Sequence, residues 1–126
     1  MQDFRELKVW QKAHRLVLDI YLLTDGFPKS EQFGLTSQLR RAAASIAANI
    51  AEGRGSGSEV LFRRHLRISF ASAFEVEYFL LLAGDLKFGN QAAIATGIVQ
   101  VAEVRRMLQG LIKSLRVPTT KKTKPS

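Results

Sequence analysis

The sequence predicts an all-α fold, an antiparallel up-down-up-down four-helix bundle. Apolar residues recur at alternating spacings of four and three through four separate segments, the repeat that keeps side chains on one helix face. No segment shows the period-two alternation of a half-buried strand. The links between segments are short, which sets consecutive helices side by side in opposite directions.

The first segment carries Val9, Ala13, Leu16, Ile20 and Leu23 on one face, and Trp10, Val17 and Tyr21 widen it. Gly26 and Pro28 end it, as glycine past a helix and proline beyond usually do. After a link from Phe27 to Gly34, the second segment runs from Leu35 to Glu52, with Thr36 expected as its N-cap. Leu39, Ala42, Ile46 and Ile50 share one face, and alanines at 42, 43, 44, 47, 48 and 51 keep the helix slender. Small side chains admit a close neighbour, so this is the expected inner helix, ended by Gly53. The third segment, Ser58 to Leu86, holds Phe62, Leu66, Ser69, Ala73, Val76, Leu80 and Ala83 in unbroken register. The fourth opens at Asn90, a good N-cap, and carries Ile94, Ile98, Val101, Leu108, Ile112 and Leu115. Residues 1–116 form one expected domain. Residues 117–126 are expected to be a basic, disordered tail holding Lys121, Lys122 and Lys124.

Composition narrows the function. Nineteen Lys and Arg against eleven Asp and Glu leave a net charge of +8, and the pI is near 10.3. A balance this basic points to a polyanion such as RNA, DNA or an anionic membrane surface. Cysteine is absent, which excludes disulfides, thiolate metal sites and cysteine nucleophiles. Two histidines exclude a histidine-rich metal site. The start, Met1 to Glu6, is charged and has no apolar signal region, and the longest strongly apolar run is Phe79 to Gly84. A membrane span needs about 20 residues, so the expectation is a soluble, cytoplasmic protein.

Arg63, Arg64 and Arg67 lie on one side of the third segment with Arg54 just upstream, and Arg40 with Arg41 adds a pair on the second. Guanidinium forks suit phosphates and intersubunit carboxylates equally well. These six, with the tail lysines Lys121, Lys122 and Lys124, are the candidate nucleic-acid contacts. Arg5, Lys8, Lys12 and Arg15 form another stripe, read as a solvated outer face partly balanced by Asp19. Phe70, Phe74, Tyr78, Leu81 and Leu82 crowd the third segment beyond what one core uses, and are the candidate oligomer interface.

Catalytic signals are weak. The loop Gly53-Arg54-Gly55-Ser56-Gly57-Ser58 resembles a phosphate cradle, but no strand precedes it and no Lys-Ser/Thr pair closes it. It is expected to be a turn, with Ser56 and Glu59 matching a capping box. Glu75 falls on the stripe of Ile68, Ser72, Phe79 and Leu82, so it is expected to be more occluded than Glu77 and paired with an arginine. His14 and His65 stand apart, with no triad order around them. The reading is a non-catalytic, oligomeric RNA- or DNA-binding module without a cofactor. The alternative is a scaffold that docks an acidic protein partner.

The stretch Leu7-Lys8-Val9-Trp10-Gln11-Lys12-Ala13, the stretch Phe33-Gly34-Leu35-Thr36-Ser37-Gln38-Leu39-Arg40-Arg41-Ala42-Ala43 and the block Ser45-Ile46-Ala47-Ala48-Asn49-Ile50-Ala51-Glu52-Gly53 resemble the bacterial four-helix bundle protein family. That family is also known from reading frames in intervening sequences of large-subunit ribosomal RNA genes. The resemblance spans about residues 4 to 115 and continues through Phe62, Leu66-Arg67-Ile68, Ser72-Ala73, Glu75 and Glu77. It implies an antiparallel bundle assembled as a barrel-like homopentamer, with no enzymatic activity. The accessory protein of diversity-generating retroelements, a basic pentamer that binds nucleic acid, is distantly similar. Many relatives carry proline where Ala47 stands, so the second helix is expected to be straighter here. Many also carry a small or polar residue where Phe74 stands, which adds apolar bulk in this chain.

Overall fold

Each of the four apolar stripes folds as a helix. A computed structural model describes residues 3–115, and among them are four α-helices and no strand: α1 (Lys8–Thr24), α2 (Leu35–Gly55), α3 (Glu59–Asp85) and α4 (Gln91–Ser114). Short 3-10 turns, Phe4–Glu6 and Lys29–Glu31, precede α1 and α2. Each helix packs on the next in sequence and α1 closes on α4, so one core lies between all four. The tail lysines Lys121, Lys122 and Lys124 and the boundary at 116–117 lie outside the described residues. No helix among the described residues is long and apolar enough to cross a membrane.

Periodicity places the core. Val9, Ala13, Leu16, Ile20 and Leu23 of α1 are all buried, as are Phe62, Leu66, Ser69, Ala73, Val76, Leu80 and Ala83 of α3. Each fully buried Leu, Ile or Val contributes roughly 1.5–3 kcal/mol relative to exposure. In α4 the buried set is Ile94, Gly97, Val101, Val104, Leu108 and Ile112, while Ile98 and Leu115 pack half-buried at its edge.

Helix ends depart from the sequence reading in three places. Thr36 does not cap α2; it is buried inside the first turn, and Gly34 holds the cap position. The Glu31 carboxylate accepts the Leu35 N–H instead, at 3.0 Å. A Cβ on Gly34 would lie 2.8 Å from that carboxylate oxygen, so glycine lets the cap fold over the helix start. Gly53 does not end α2, which continues to Gly55. Its role is close approach, since a Cβ there would lie 2.7 Å from the His65 Cβ and 3.2 Å from the Phe62 Cα. No capping box forms at Ser56, whose hydroxyl donates back to the Gly53 carbonyl at 2.7 Å. Ser58 caps α3 instead, accepting from Leu61 N–H at 3.2 Å. Asn90 caps α4, accepting from Ala93 N–H at 2.9 Å, and α2 runs unbroken through Ala47.

The α2–α3 contact is the most extensive in the fold. A polar ladder runs along it. The Ser69 hydroxyl donates to the Ile46 carbonyl at 2.8 Å, and the Ser45 and Ser72 hydroxyls meet at 2.9 Å. Asn49 donates to the Ser45 carbonyl at 2.9 Å, and its amide oxygen lies 2.9 Å from the His65 Nδ1. The partners descend along α3 as they ascend along α2. Buried polar groups on such a seam fix its register, because a slip leaves several of them unpaired.

Candidate functional site

The outer face of α3 brings two groups of candidate residues into one line. Val60, Arg64, Arg67, Ala71, Phe74, Tyr78 and Leu81 follow the alternating four-three spacing, and all are exposed. The first half of the line is cationic and the second half aromatic and aliphatic. Sequence reading finds both halves and misses that they share a register, which counting forward from Val60 makes visible.

The arginines differ in what surrounds them. Among the described residues, no carboxylate lies within 4.0 Å of Arg63, Arg64 or Arg67. Arg64 and Arg67 are exposed. Arg63 is half-buried, and its Nε is buried without a hydrogen-bond partner among the described residues. Arg54 sits over the Phe62 ring, 5.3 Å from its centroid. Toward the N-terminus, by contrast, Arg5 of the 3-10 turn pairs with Asp3 at 3.3 Å, and on the α1 stripe Lys12 pairs with Glu103 at 3.3 Å and Arg15 with Asp19 at 3.5 Å. Cations already matched by carboxylates add little attraction for a polyanion.

Arg40 and Arg41 part company. The Arg40 Nε donates to the Thr24 hydroxyl at 2.7 Å, Nη2 reaches Asp25 at 3.1 Å, and the guanidinium lies 4.5 Å from the Tyr21 ring centroid. It clasps α1 to α2. Arg41 is exposed, with no carboxylate within 4.0 Å among the described residues.

The five apolar candidates divide as well. Phe70 and Leu82 are half-buried and pack against the core. Phe74, Tyr78 and Leu81 are exposed. Phe74 meets Phe70 edge-on at 5.3 Å, and Arg105 stacks on its ring at 4.5 Å. Arg105 also pairs with Glu77, which is half-buried beside α4. Glu75 is exposed, so the expected order of the two carboxylates is reversed. The cause is register: Glu77 stands on the Phe70–Phe74 edge that borders α4, where Arg105 meets it, and Glu75 points to solvent.

The histidines hold structural places. His14 stacks on Trp10 at 4.8 Å, and His65 belongs to the α2–α3 ladder. No group of three or more His, Cys, Asp or Glu able to hold a metal ion occurs among the described residues.

The sequence matches the family model described as 23S rRNA-intervening sequence protein over residues 5–110. The chain belongs to that family. The match takes in α1, α2, α3 and nearly all of α4, including the whole α3 line. A solved structure of a protein of unknown function from the S23 ribosomal protein family of Bacteroides thetaiotaomicron VPI-5482 is similar, with a TM-score of 0.77 and 25% identity. The similarity covers 84% of this chain and 96% of that one. No curated protein matches the sequence. Membership of the 23S rRNA-intervening sequence family carries the fold, and leaves the activity to be argued from the site.

Proposed function

We propose that this chain is a non-catalytic nucleic-acid-binding protein of the cytoplasm, an antiparallel four-helix bundle that assembles as a homopentamer. It contacts phosphates through Arg63, Arg64 and Arg67 with Arg54 beside them. The observation that carries the reading is the contrast in cation pairing. The α3 arginines have no carboxylate within 4.0 Å among the described residues, while most of the α1 stripe is neutralised. The net charge of +8 supports a polyanionic partner. Exposed Phe74, Tyr78 and Leu81 support a subunit contact on the aromatic half of α3; the number five rests on the family resemblance. The lack of cysteine and the structural engagement of both histidines support a binding role rather than catalysis.

The test is charge reversal. Arg63, Arg64 and Arg67 changed together to Glu weaken RNA and DNA binding almost uniformly across sequences, because phosphates and not base edges are contacted. The slope of log affinity against log salt becomes shallower by about one unit for each phosphate no longer engaged. Reversal of Lys8 and Lys12 changes binding little. Sedimentation accompanies both, since the same arginines adjoin the proposed subunit contact. A triple variant that stays assembled and binds like wild type at several salt concentrations removes this cluster from consideration. A wild-type protein with no salt-sensitive binding to any polynucleotide turns the assignment to the acidic-partner scaffold.

A further inference from the structure

At the corner between α1 and α2, Phe33 is 89% exposed, the most exposed large apolar side chain among the described residues. The turn that presents it is tied down. Glu31 N–H donates to the Pro28 carbonyl at 2.9 Å, Gln32 to Lys29 at 3.1 Å and Gly34 to Glu31 at 3.0 Å, and the Glu31 carboxylate holds the start of α2. Phe33 is therefore a displayed ring on an ordered support.

Phe33 borders a depression of about 370 Å³ and is its only lining residue without a polar side-chain atom. Tyr21 forms one wall, its ring held under the Arg40 guanidinium. Arg40 is engaged by Thr24 and Asp25, whereas Arg41 enters the same depression with no carboxylate within 4.0 Å among the described residues. Gln32 and Ser37 add an amide and a hydroxyl to the rim.

The geometry points to this corner as a site for single-stranded nucleic acid, with one base stacked on Phe33 and an adjacent phosphate on Arg41. The inference rests on the nucleic-acid reading above and adds a strand preference and a second contact region. An exposed aromatic face beside a guanidinium is what unpaired bases use, since every base has a π-face and every linkage a phosphate. A duplex hides its base faces in the stack and gains nothing from Phe33. An apolar protein anchor needs a mostly apolar pocket, and the lining here is mixed, the Phe33 and Tyr21 rings standing among two guanidiniums, an amide and two hydroxyls.

The test compares a labelled oligouridylate with a labelled duplex of equal length, for wild type, Phe33→Ala, Phe33→Trp and Arg41→Glu. Phe33→Ala lowers single-strand affinity roughly tenfold and leaves duplex affinity unchanged. Phe33→Trp keeps single-strand affinity, and its emission is quenched by the bound strand beyond any change of Trp10 in wild type. Arg41→Glu weakens the single strand and makes its salt slope shallower. Single-strand binding by Phe33→Ala equal to wild type overturns the proposal while the α3 reading stands. Loss of assembly in Phe33→Ala, read by sedimentation, makes the corner a protein contact and also overturns it. A wild type that binds neither probe at low salt removes the nucleic-acid reading itself, and this inference with it.

Discussion

Between α2 and α3 the backbones approach until a Cβ on Gly53 would stand 2.7 Å from that of His65, whereas between α1 and α4 a groove of about 460 Å³ stays open. Both seams close the same core and both bury apolar stripes. They differ in the size of the residues beside the stripe. Ala42, Ala43, Ala47 and Gly53 of α2 are buried small residues, so α3 settles against the backbone itself. Across the α1–α4 seam, Leu22 and Leu23 line the groove on one side and Ala93, Thr96 and Gly97 on the other, and the helices make the slighter contact. Among the described residues its polar links are Gln100 to Asp19 at 2.9 Å, which is half-buried, and Lys12 to Glu103 at 3.3 Å, which is exposed. An exposed pair of the latter kind contributes about 0–1 kcal/mol. The lesson is that register in this fold is set on the α2–α3 side, the side that carries the arginines of α3.

The largest expected effect tests that seam directly. Gly53→Ala forces α2 and α3 apart, because the new methyl meets a Cβ and a Cα rather than a mobile side-chain tip. Overpacking of this kind costs about 1–3 kcal/mol, more than alanine's gain in helix propensity of about 1 kcal/mol. Gly55→Ala is the control: it lies in the same helix, and nothing stands within 4 Å of its Cβ position. It is expected to be neutral or stabilising by up to about 1 kcal/mol. Urea midpoints at one fixed protein concentration give the comparison, which holds any contribution of self-association equal between the variants. Equal midpoints for the two variants break the contrast between the seams.

Next in size is the ladder. Asn49→Ala deletes the donor to the Ser45 carbonyl and the hydrogen-bond partner of the His65 Nδ1, which then faces only the Glu52 carboxylate at 3.9 Å among the described residues. The expected loss is about 1–2 kcal/mol, mostly from the half-buried imidazole left unsatisfied. In a cycle with His65→Ala, the double variant loses less than the sum of the singles. Strict additivity means that the 2.9 Å contact contributes nothing of its own.

Much of this is legible in the sequence, and particular residues show where legibility stops. The stripes of α1 and α3 are buried residue for residue, because a four-three repeat admits only one helix face. Even Ser69 follows the rule, its hydroxyl absorbed by the Ile46 carbonyl. The α4 stripe drifts: Gly97 and Val104 occupy core positions that apolar counting gives to Ile98 or leaves blank. Glycine carries no hydropathy signal, so positions that work by having no side chain are invisible to a hydrophobic pattern. Gly53 fails for the same reason, since a glycine near a helix end reads as a stop even when the atoms it makes room for stand on another helix. Glu75 and Glu77 are reversed because α3 is apolar on several faces there, and only the position of Arg105 selects one. The α3 line is half visible: each group stands out by composition, and their common register by spacing alone. The Phe33 corner is legible only in Arg40 and Arg41, which composition marks as candidate contacts; that Arg40 is engaged while Arg41 has no carboxylate within 4.0 Å among the described residues cannot be read from two adjacent arginines.

The smallest expected effect sharpens the comparison most. Gly97 of α4 is also a buried glycine in a helix, and it lines the α1–α4 groove. A Cβ there would lie 3.2 Å from the Leu80 Cδ1 and 3.6 Å from its Cδ2, the far end of a flexible side chain. Leu80 can yield a few tenths of an ångström by a small χ adjustment, and the neighbouring groove leaves α4 room to shift. The strain is then of the same order as the propensity gain of about 1 kcal/mol. Gly97→Ala is expected to change stability by less than about 0.5 kcal/mol in either direction, against a clear loss for Gly53→Ala. The two substitutions are chemically identical and both sites are buried, so burial cannot separate them. What separates them is whether the obstructing atoms belong to a backbone or to a methyl tip. If Gly97→Ala loses as much as Gly53→Ala, the α1–α4 side is as tightly determined as the other, and the open groove there does not mark slack in the packing.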